Sequence, residues 1–417
     1  MNIYYRSFQN ISVFNISLFI FFISLSIRGV YLFYLTDPYM QPIEDQKIYH
    51  MYAYTISQSG FLHSAIEGRP ILLPSILAIL YKFSDPEFHF LIARLFLIII
   101  SALSITLFFI NAFLYFKKKS WALLTSLFLC FYPPSIFYST RILTENLSIV
   151  LLLLSSILLL LIIKNKENLI YHCLLGFTLG LAALSRSAFL LLPIFIIVSI
   201  YFFTYIYKIE FNTSIKKSFI IILTFIITLT PWTMRNYYVY DSFVPTTTRT
   251  GYMAWLSNHD LNEKIVLNGG YIKNNHFLNI LSEVRSKNDS VETSKILFSK
   301  SLEEIKNNKF NFSIAVINRG INYLNFRPNP YKENYTINDL IMFIFWTPIF
   351  IFFLISLFKR KTEYEIIFLT IILYSFLVHL PFWGISRFRF PTDPYFVLLA
   401  FNIIIPYFFY KKDDNSN

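Results

Sequence analysis

Charged residues are scarce in this chain of 417 residues, since only 14% are Asp, Glu, Lys or Arg while 55% are hydrophobic. A soluble globular protein carries roughly 25% charged residues, so the composition excludes an ordinary cytosolic enzyme. Intrinsic disorder is excluded too, because the chain has ample apolar surface to bury. The apolar residues form long runs such as 95–116 and 147–163. About 20 such residues cross a bilayer, so the sequence predicts a multi-spanning membrane protein.

Cysteine and glycine motifs are missing as well. The two cysteines, Cys130 and Cys173, lie in apolar runs, so neither a disulfide framework nor a zinc motif is expected. The histidines show no metal-ligand spacing. No phosphate-binding glycine loop is present, and nucleotide donors are therefore not implied. We expect no metal and no cofactor. The net charge of +12 is better explained by basic cytoplasmic loops than by a nucleic-acid partner.

The apolar runs predict an all-α polytopic membrane protein with about ten transmembrane helices. The first begins after Arg6 and is interpreted as an uncleaved span, because no small-residue cleavage site follows it. A further apolar piece, 70–83, is short and carries two prolines, so we interpret it as re-entrant or interfacial. The predicted spans lie near 13–35, 88–116, 120–139, 145–163, 170–185, 188–207, 217–232, 338–358, 364–382 and 392–410.

Charge sidedness predicts the orientation. With the N-terminus in the cytoplasm and the spans alternating, the short outer loops contain no lysine, and their basic residues are Arg141, Arg186, Arg387 and Arg389. This arrangement satisfies the positive-inside rule. It predicts a protein of the inner membrane whose N- and C-termini both lie in the cytoplasm. The inner basic residues are Arg6, Lys117–Lys119, Lys164, Lys166, Lys208, Lys216, Lys217, Lys359–Lys361, Lys411 and Lys412.

Two larger extracytoplasmic segments follow from this topology, and three units are expected. Residues 1–232 form an N-terminal transmembrane module whose first outer loop, 36–87, holds the catalytic site. Residues 233–337 form an outer region with amphipathic helices such as 294–305. Residues 338–417 form the C-terminal spans and a cytoplasmic tail. Neither an internal repeat nor a low-complexity linker is present.

Arginines concentrate near the predicted outer boundary. A charge in the membrane costs at least a few kcal/mol and usually marks a site, and arginine suits bidentate phosphate binding. Snorkelling to lipid phosphates is the alternative for any single side chain, but the set favours a shared anionic ligand. The set is Arg28, Arg69, Arg94, Arg141, Arg186, Arg387 and Arg389.

Carboxylates are few on the same side. Glu44 and Asp45 follow the first span, and Glu145 begins the fourth, where the helix dipole also favours an acid. An ionised carboxylate opposite the arginines is a candidate base. Asp45 or Glu44 is therefore the candidate catalytic acid, and Glu145 is a candidate substrate-binding residue.

The order of several small motifs resembles the GT-C membrane glycosyltransferases, in particular the family 39 branch that includes bacterial aminoarabinose transferase and protein mannosyltransferases. The resemblance covers about 30–400, although the long second outer segment matches poorly. Its motifs are Glu44-Asp45 with Tyr49, Ala53 and Gly60, Arg69-Pro70 with Leu73-Pro74, Arg94, Pro133, Thr144-Glu145, Gly180 to Arg186, Pro231-Trp232 with Arg235-Asn236, Val244-Pro245, and Arg387 to Pro391 with Pro394.

The resemblance implies transfer of a sugar from a polyprenyl phosphate to an acceptor hydroxyl on the outer face. The family's catalytic acid matches Asp45, with Glu44 as the competitor, because this chain has the order Glu-Asp followed by Gln46. One displacement predicts inversion at the anomeric carbon. The phosphate ligands expected first are Arg69, Arg186 and Arg389, followed by Arg387, Arg94 and Arg235.

Two other functions stay open at this stage. A transporter or flippase of polyprenyl-linked saccharides would normally show repeated halves and polar groups at the midplane. A structural protein would use its arginines only to anchor lipid. The sugar, the acceptor (lipid, glycan or protein hydroxyl) and the length of the polyprenol do not follow from the sequence.

Overall fold

The computed structural model describes residues 11–164, 168–207, 215–328, 330 and 334–409, and within these ranges the regular structure is helical without strands. The helices of the first part are α1 Val13–Val30, α2 Glu44–Ser59, α3 Leu72–Lys82, α4 His89–Phe116, α5 Lys119–Cys130, α6 Pro133–Phe137, α7 Glu145–Lys164, α8 Leu169–Ser185, α9 Leu192–Tyr207 and α10 Ile215–Tyr240. The helices of the second part are α11 Thr250–Asn258, α12 Lys264–Leu267, α13 Asn275–Lys287, α14 Ser290–Asn307, α15 Lys309–Leu324, α16 Ile337–Leu357, α17 Glu363–His379, α18 Ser386–Arg389 and α19 Asp393–Phe409.

Six helical stretches in the described part are long and apolar enough to cross a membrane, and a bent pair makes a seventh. The all-α polytopic class is therefore confirmed, while the count of ten spans stays a prediction. Shorter apolar helices occupy 72–82, 169–185 and 187–203. The six stretches are Val13–Leu35, Pro86–Phe116, Glu145–Lys164, Ile215–Tyr240, Ile337–Leu357 and Ser386–Tyr407.

Two boundaries differ from the sequence prediction. The span expected over 120–139 is broken into Lys119–Cys130 and Pro133–Thr140, which meet at 61°. Pro133 and Pro134 start the second piece, because proline cannot donate the hydrogen bonds of a continuing helix. The helix expected to end at 232 runs on to Tyr240 through Pro231, so the expected domain boundary falls inside it.

Basic side chains gather at one end of the helix bundle, which we call the lysine end. The Lys119 ammonium donates to the Ile11 carbonyl at 2.8 Å, and Lys117 lies over the Tyr364 ring at 5.1 Å. These contacts bring the starts of α1, α5 and α17 together. Arg6, Lys166, Lys208, Lys411 and Lys412 lie outside the described residues, as do residues at both termini whose orientation was predicted.

Helices α8 and α10 approach each other closely through small residues. A Cβ added at Gly176 would lie 1.9 Å from Thr224 Oγ1 and 2.3 Å from the Ile221 carbonyl oxygen. One at Gly180 would lie 2.6 Å from Thr228 Cβ. Such stripes of small residues let membrane helices pack by close backbone contact.

One buried arginine ties α1 to the rest of the bundle. The Arg28 side chain is fully buried and donates to Ser101 Oγ at 2.7 Å, Ser135 Oγ at 2.6 Å and the Ser24 carbonyl at 3.1 Å. Ser101 belongs to α4 and Ser135 to α6. The guanidinium thus satisfies its donors inside the bundle and does not reach the site described below.

The long second segment folds into helices α11 to α15, and the amphipathic stretch expected over 294–305 lies in α14. Two small apolar clusters hold these helices together, one around Phe277 and Leu297 and the other around Leu261 and Ala315. The fully buried Arg319 of α15 donates to the Pro381 carbonyl just after α17. The segment is therefore anchored to the bundle at the end opposite the lysines.

Candidate active site

Asp45 occupies the first turn of α2, where the helix dipole favours an acid. Glu44, the residue before it, has a φ of 48°, in the left-handed region that non-glycine residues adopt at a cost of roughly 1–2 kcal/mol. The buried Gln46 side chain accepts a hydrogen bond from the Ile142 backbone amide at 3.1 Å. This bond fixes the start of α2 beside the segment that leads into α7.

Two arginines hold the Asp45 carboxylate, one on each oxygen. Arg69 pairs with Oδ1, and the Arg387 guanidinium donates to Oδ2 at 3.1 Å. Arg69 follows Gly68, whose φ of 75° turns the chain toward α2. Arg387 comes from α18, far away in the sequence. The ion pairs therefore join the loop of residues 36–87 to the C-terminal part of the bundle.

Glu145 is the second carboxylate of this network and starts α7. Its side chain is only 1% exposed, and Oε1 accepts a hydrogen bond from Arg387 Nε at 2.6 Å. Arg186, at the end of α8, lies 3.7 Å from the same oxygen. Arg387 thus bridges the two acids, and Arg186 adds a further positive charge.

Several polar atoms around this network lack hydrogen-bond partners among the described residues. They are Glu145 Oε2, Arg69 Nε and Arg249 Nε, and all three are buried. Buried polar atoms in proteins are almost always satisfied, so such a group of unsatisfied donors and acceptors is typical of a ligand site.

The arginines also govern the charge of Asp45. Partial burial alone would raise the pKa of this carboxyl group, but attraction to Arg69, Arg387 and Arg249 outweighs burial and lowers the pKa. Asp45 is therefore ionised at neutral pH. Its neighbour Tyr49 is buried, and burial raises the pKa of that phenol.

The network lines a polar cavity of about 610 Å³. Thr144, Ser187 and several aromatic side chains contribute to its walls. Two of its cationic residues were not predicted from the sequence: Lys273, which precedes α13, and Arg249, which precedes α11. For Arg249 the only signal in the sequence was one more arginine among several threonines. The charged side chains that line the cavity are Glu44, Asp45, Arg69, Glu145, Arg186, Arg249, Lys273 and Arg387.

An apolar cavity of about 690 Å³ adjoins the polar one. Its walls come from the end of α1, the bend between α5 and α6, the start of α16 and the start of α19. Arg387 lines both cavities. The side chain that pairs with both acids therefore also borders the apolar cavity. The apolar side chains of that space include Ile27, Val30, Leu35, Phe131, Ile136, Phe137, Ile341, Met342 and Phe390.

Three of the expected substrate-binding arginines do not line the polar cavity. Arg389 is 1% exposed, donates to Asp393 Oδ1 at 2.8 Å and lies over the Trp346 ring. It borders only the apolar cavity. Arg94 donates to two carbonyl oxygens of residues 38–40, both at 2.6 Å. Arg235 likewise donates to carbonyl oxygens of residues 61 and 63.

Comparison with solved structures places this arrangement in a known fold. The archaeal oligosaccharyltransferase AglB from Archaeoglobus fulgidus, in complex with an inhibitory peptide and a dolichol-phosphate, matches 95% of the chain at a TM-score of 0.58 and 14% identity. Its apo form matches 98% at a TM-score of 0.57 and 13% identity. AglB is a GT-C superfamily member. The chain shares the fold of this protein.

The match covers about half of the archaeal protein's own length, 50% for the complex and 52% for the apo form. The aminoarabinose transferase ArnT from Cupriavidus metallidurans, bound to undecaprenyl phosphate, is matched at a TM-score of 0.40 and 11% identity over 94% of this chain and 77% of that chain. Neither a protein-family model nor a curated protein sequence matches the chain. At 13–14% identity the likeness to the archaeal protein concerns the fold.

Within this fold the polar cavity is suited to an anion. The described residues contain no group of three or more His, Cys, Asp or Glu side chains placed to hold a metal ion. The carboxylate oxygens of Asp45 and Glu145, which could otherwise bind a metal cation, are instead paired with arginines. The arrangement can bind a phosphate through guanidinium groups and can offer an ionised carboxylate beside it.

Proposed function

We propose that the chain is a membrane glycosyltransferase that moves a sugar from a polyprenyl phosphate to an acceptor hydroxyl. The observation that carries this proposal is Arg387, which pairs with Asp45 and Glu145 in the polar cavity and also lines the apolar one. A ligand with a hydrophobic tail, a phosphate and a sugar matches this order of an apolar cavity, an arginine and a polar cavity. The GT-C fold agrees with the proposal.

The donor fits across the two cavities. Its tail lies in the apolar cavity and continues into lipid. Its phosphate binds Arg387 first, and Arg69 and Arg186 are the next arginines within the polar cavity. The sugar then occupies the polar cavity beside Asp45. Arg94 and Arg235 contact backbone carbonyls, and Arg389 is paired with Asp393, so we assign these three to positioning loops and helices.

The charge of the polar cavity suits the reaction. Five cationic side chains, of Arg69, Arg186, Arg249, Lys273 and Arg387, line the cavity together with the three carboxylates of Glu44, Asp45 and Glu145, which leaves a surplus of positive charge. The donor is a phosphodiester with one negative charge, and cleavage leaves a polyprenyl phosphate that gains a second. Fixed cations stabilise charge that develops in the transition state more than the charge already present.

Asp45 is the proposed base. The acceptor hydroxyl gives its proton to the carboxylate, its oxygen bonds to the anomeric carbon, and the carbon–phosphate oxygen bond breaks with its electron pair on the phosphate. In the free protein both Asp45 oxygens are held by arginines. An arriving phosphate competes for Arg69 and Arg387, which frees the carboxylate and raises its basicity at the moment it is needed.

A single displacement of this kind inverts the anomeric centre. Glu44 remains the competing base, because it also lines the cavity. We place the cavity on the extracytoplasmic side of the inner membrane, since the lysine end then faces the cytoplasm in accordance with the positive-inside rule.

Replacing Asp45 tests the proposal. We expect Asp45→Asn to abolish transfer while the thermal unfolding temperature stays within a few degrees of wild type. The matched control is Glu44→Gln, which should keep activity. The measurement is mass spectrometry of glycolipids and surface glycans from cells with no gene, the wild-type gene or either variant. Full activity of Asp45→Asn would overturn the role of Asp45, and loss only in Glu44→Gln would transfer that role to Glu44.

A further inference from the structure

One wall of the polar cavity is aromatic and lies away from the apolar cavity. We call Tyr252, Tyr271 and Trp383 the aromatic wall; all three line the polar cavity and none lines the apolar one. The Tyr271 and Trp383 rings meet edge to face at 4.5 Å between centroids. Trp383 also meets Phe388 edge to face at 5.5 Å. Tyr271 and Trp383 therefore pack against each other, and Tyr252 packs separately on Phe277 at 5.8 Å between ring centroids.

Cations accompany these rings. Arg249 lies over Tyr252 at 4.7 Å, Arg285 approaches the same ring at 5.6 Å, and Lys273 lies over Tyr271 at 5.9 Å. Within the described part of the chain, none of the three has a carboxylate within ion-pair distance. Arg249 Nε is moreover buried without a hydrogen-bond partner.

The position of this wall indicates what it contacts. If the donor enters from the apolar cavity and meets Arg387, the space between Asp45 and the aromatic wall is left for the acceptor. Glu44, Asp45, Tyr271 and Lys273 line the same cavity, so an acceptor resting on Tyr271 lies beside the proposed base.

On this basis, which rests on the proposed function, we propose that the acceptor is an anionic saccharide. The apolar faces of sugar rings pack against aromatic side chains, and their hydroxyls reach polar groups at the edges. The unpaired Arg249 and Lys273 then bind a carboxylate, phosphate or sulfate carried by the glycan. An acidic peptide would use the cations and leave the aromatic wall without a matching partner.

A direct binding measurement tests this inference without any transfer reaction. Full-length protein in lipid nanodiscs is titrated with trigalacturonate, neutral galactotriose and an acidic hexapeptide of equal charge, and binding is followed by saturation-transfer NMR. We expect trigalacturonate to bind about tenfold more tightly than galactotriose and the peptide to bind weakly, as charge and aromatic contacts add. No saccharide binding, or peptide binding as tight as that of trigalacturonate, would overturn the proposal.

Three variants separate the contributions. Tyr271→Ala should weaken both saccharides by about fivefold to tenfold, because the ring contact is lost. Lys273→Gln should leave galactotriose unchanged and reduce the preference for trigalacturonate by about twofold to fivefold, as expected for an exposed ion pair. Tyr238→Ala, an exposed tyrosine of α10 outside both cavities, is the matched control and should bind like wild type.

The failure of this inference is distinguishable from the failure of the proposed function. Binding of undecaprenyl phosphate to the same nanodiscs is measured in parallel. Tyr271→Ala should keep it, whereas Arg387→Gln combined with Glu145→Gln, which leaves no uncompensated buried charge, should lose it while staying folded by thermal unfolding. If the polyprenyl phosphate binds and the saccharides do not, the acceptor assignment falls and the donor assignment stands. Weaker saccharide binding in Tyr238→Ala than in Tyr271→Ala would also contradict the aromatic wall.

Discussion

At the scale of single residues, Arg387 has the largest number of roles in the site. It bonds to the buried Glu145 at 2.6 Å and to Asp45 at 3.1 Å. Arg186, the other partner of Glu145, is 3.7 Å away. Losing Arg387 therefore leaves a carboxylate that is only 1% exposed with one distant countercharge. A buried charge without its partner is far more costly than the same pair removed altogether.

We therefore predict that Arg387→Gln lowers the free energy of unfolding by about 3–5 kcal/mol. The double variant Arg387→Gln with Glu145→Gln should recover much of this loss, because the uncompensated charge is gone. Thermal and denaturant unfolding in detergent measure both. Equal destabilisation by the single and double variants would contradict the assignment of Glu145 as the charge that Arg387 compensates.

The pKa of Asp45 leads to a pH prediction. Neighbouring arginines hold this pKa below the ordinary value of 3.8, so the ionised base persists to low pH and kcat/KM should stay level down to about that value. Arg69→Gln removes one lowering charge, so the Asp45 pKa rises and the acid limb of kcat/KM moves to higher pH. The profile of each protein between about pH 3.5 and 8 measures the shift. An unchanged limb in Arg69→Gln would argue against Asp45 as the titrating base.

Much of the charged network could be predicted from the sequence, because an acid or arginine beside an apolar run is costly unless it has a partner. Arg387 and Arg389 could not be ranked in this way. Two residues apart on a helix, their side chains point about 160° apart, so only one can face Asp45. Arg249 was missed because its place depends on how the second outer segment folds back onto the bundle.

At the scale of elements, the contact between α8 and α10 has no space for a side chain. We predict that Gly176→Ala destabilises the protein by about 1–3 kcal/mol, because the new methyl group meets Thr224 and the backbone oxygen of Ile221. Gly29→Ala in α1 is the matched control: its Cβ would meet nothing within 4 Å. Gly176→Ala should therefore lower the thermal unfolding temperature, whereas Gly29→Ala should leave it unchanged or raise it slightly. Similar losses in both would refute tight packing at Gly176.

The long apolar runs predicted the long helices, since spanning segments are recognisable from composition alone. Breaks were harder to place. At the paired prolines 133 and 134 the helix bends by 61°. Hydropathy alone predicted one straight span over 120–139. Helix α10 continues through Pro231 to Tyr240, where Asn236 Nδ2 donates to the Val244 carbonyl. Contacts of this kind come from the tertiary fold and cannot be derived from hydropathy.

At the scale of the whole molecule, the proposed outward orientation of the site can be tested by labelling. In a Cys173→Ser background, Ser286→Cys in α13 and Lys359→Cys after α16 place one exposed thiol at either end of the bundle. We expect a membrane-impermeant maleimide to label only Ser286→Cys in intact cells and both in permeabilised cells. Labelling of Lys359→Cys alone in intact cells would reverse the orientation and place the cavity in the cytoplasm.

The buried Arg28 bears on how this protein is inserted into the membrane during synthesis. Its hydroxyl partners, Ser101 and Ser135, come 73 and 107 residues later in the chain, so α1 is synthesised before either hydroxyl is available to its guanidinium. Such a segment is poorly soluble in lipid on its own. We therefore expect α1 to be stably held in the membrane only after α4 and α6 have been made, so that these three elements insert together.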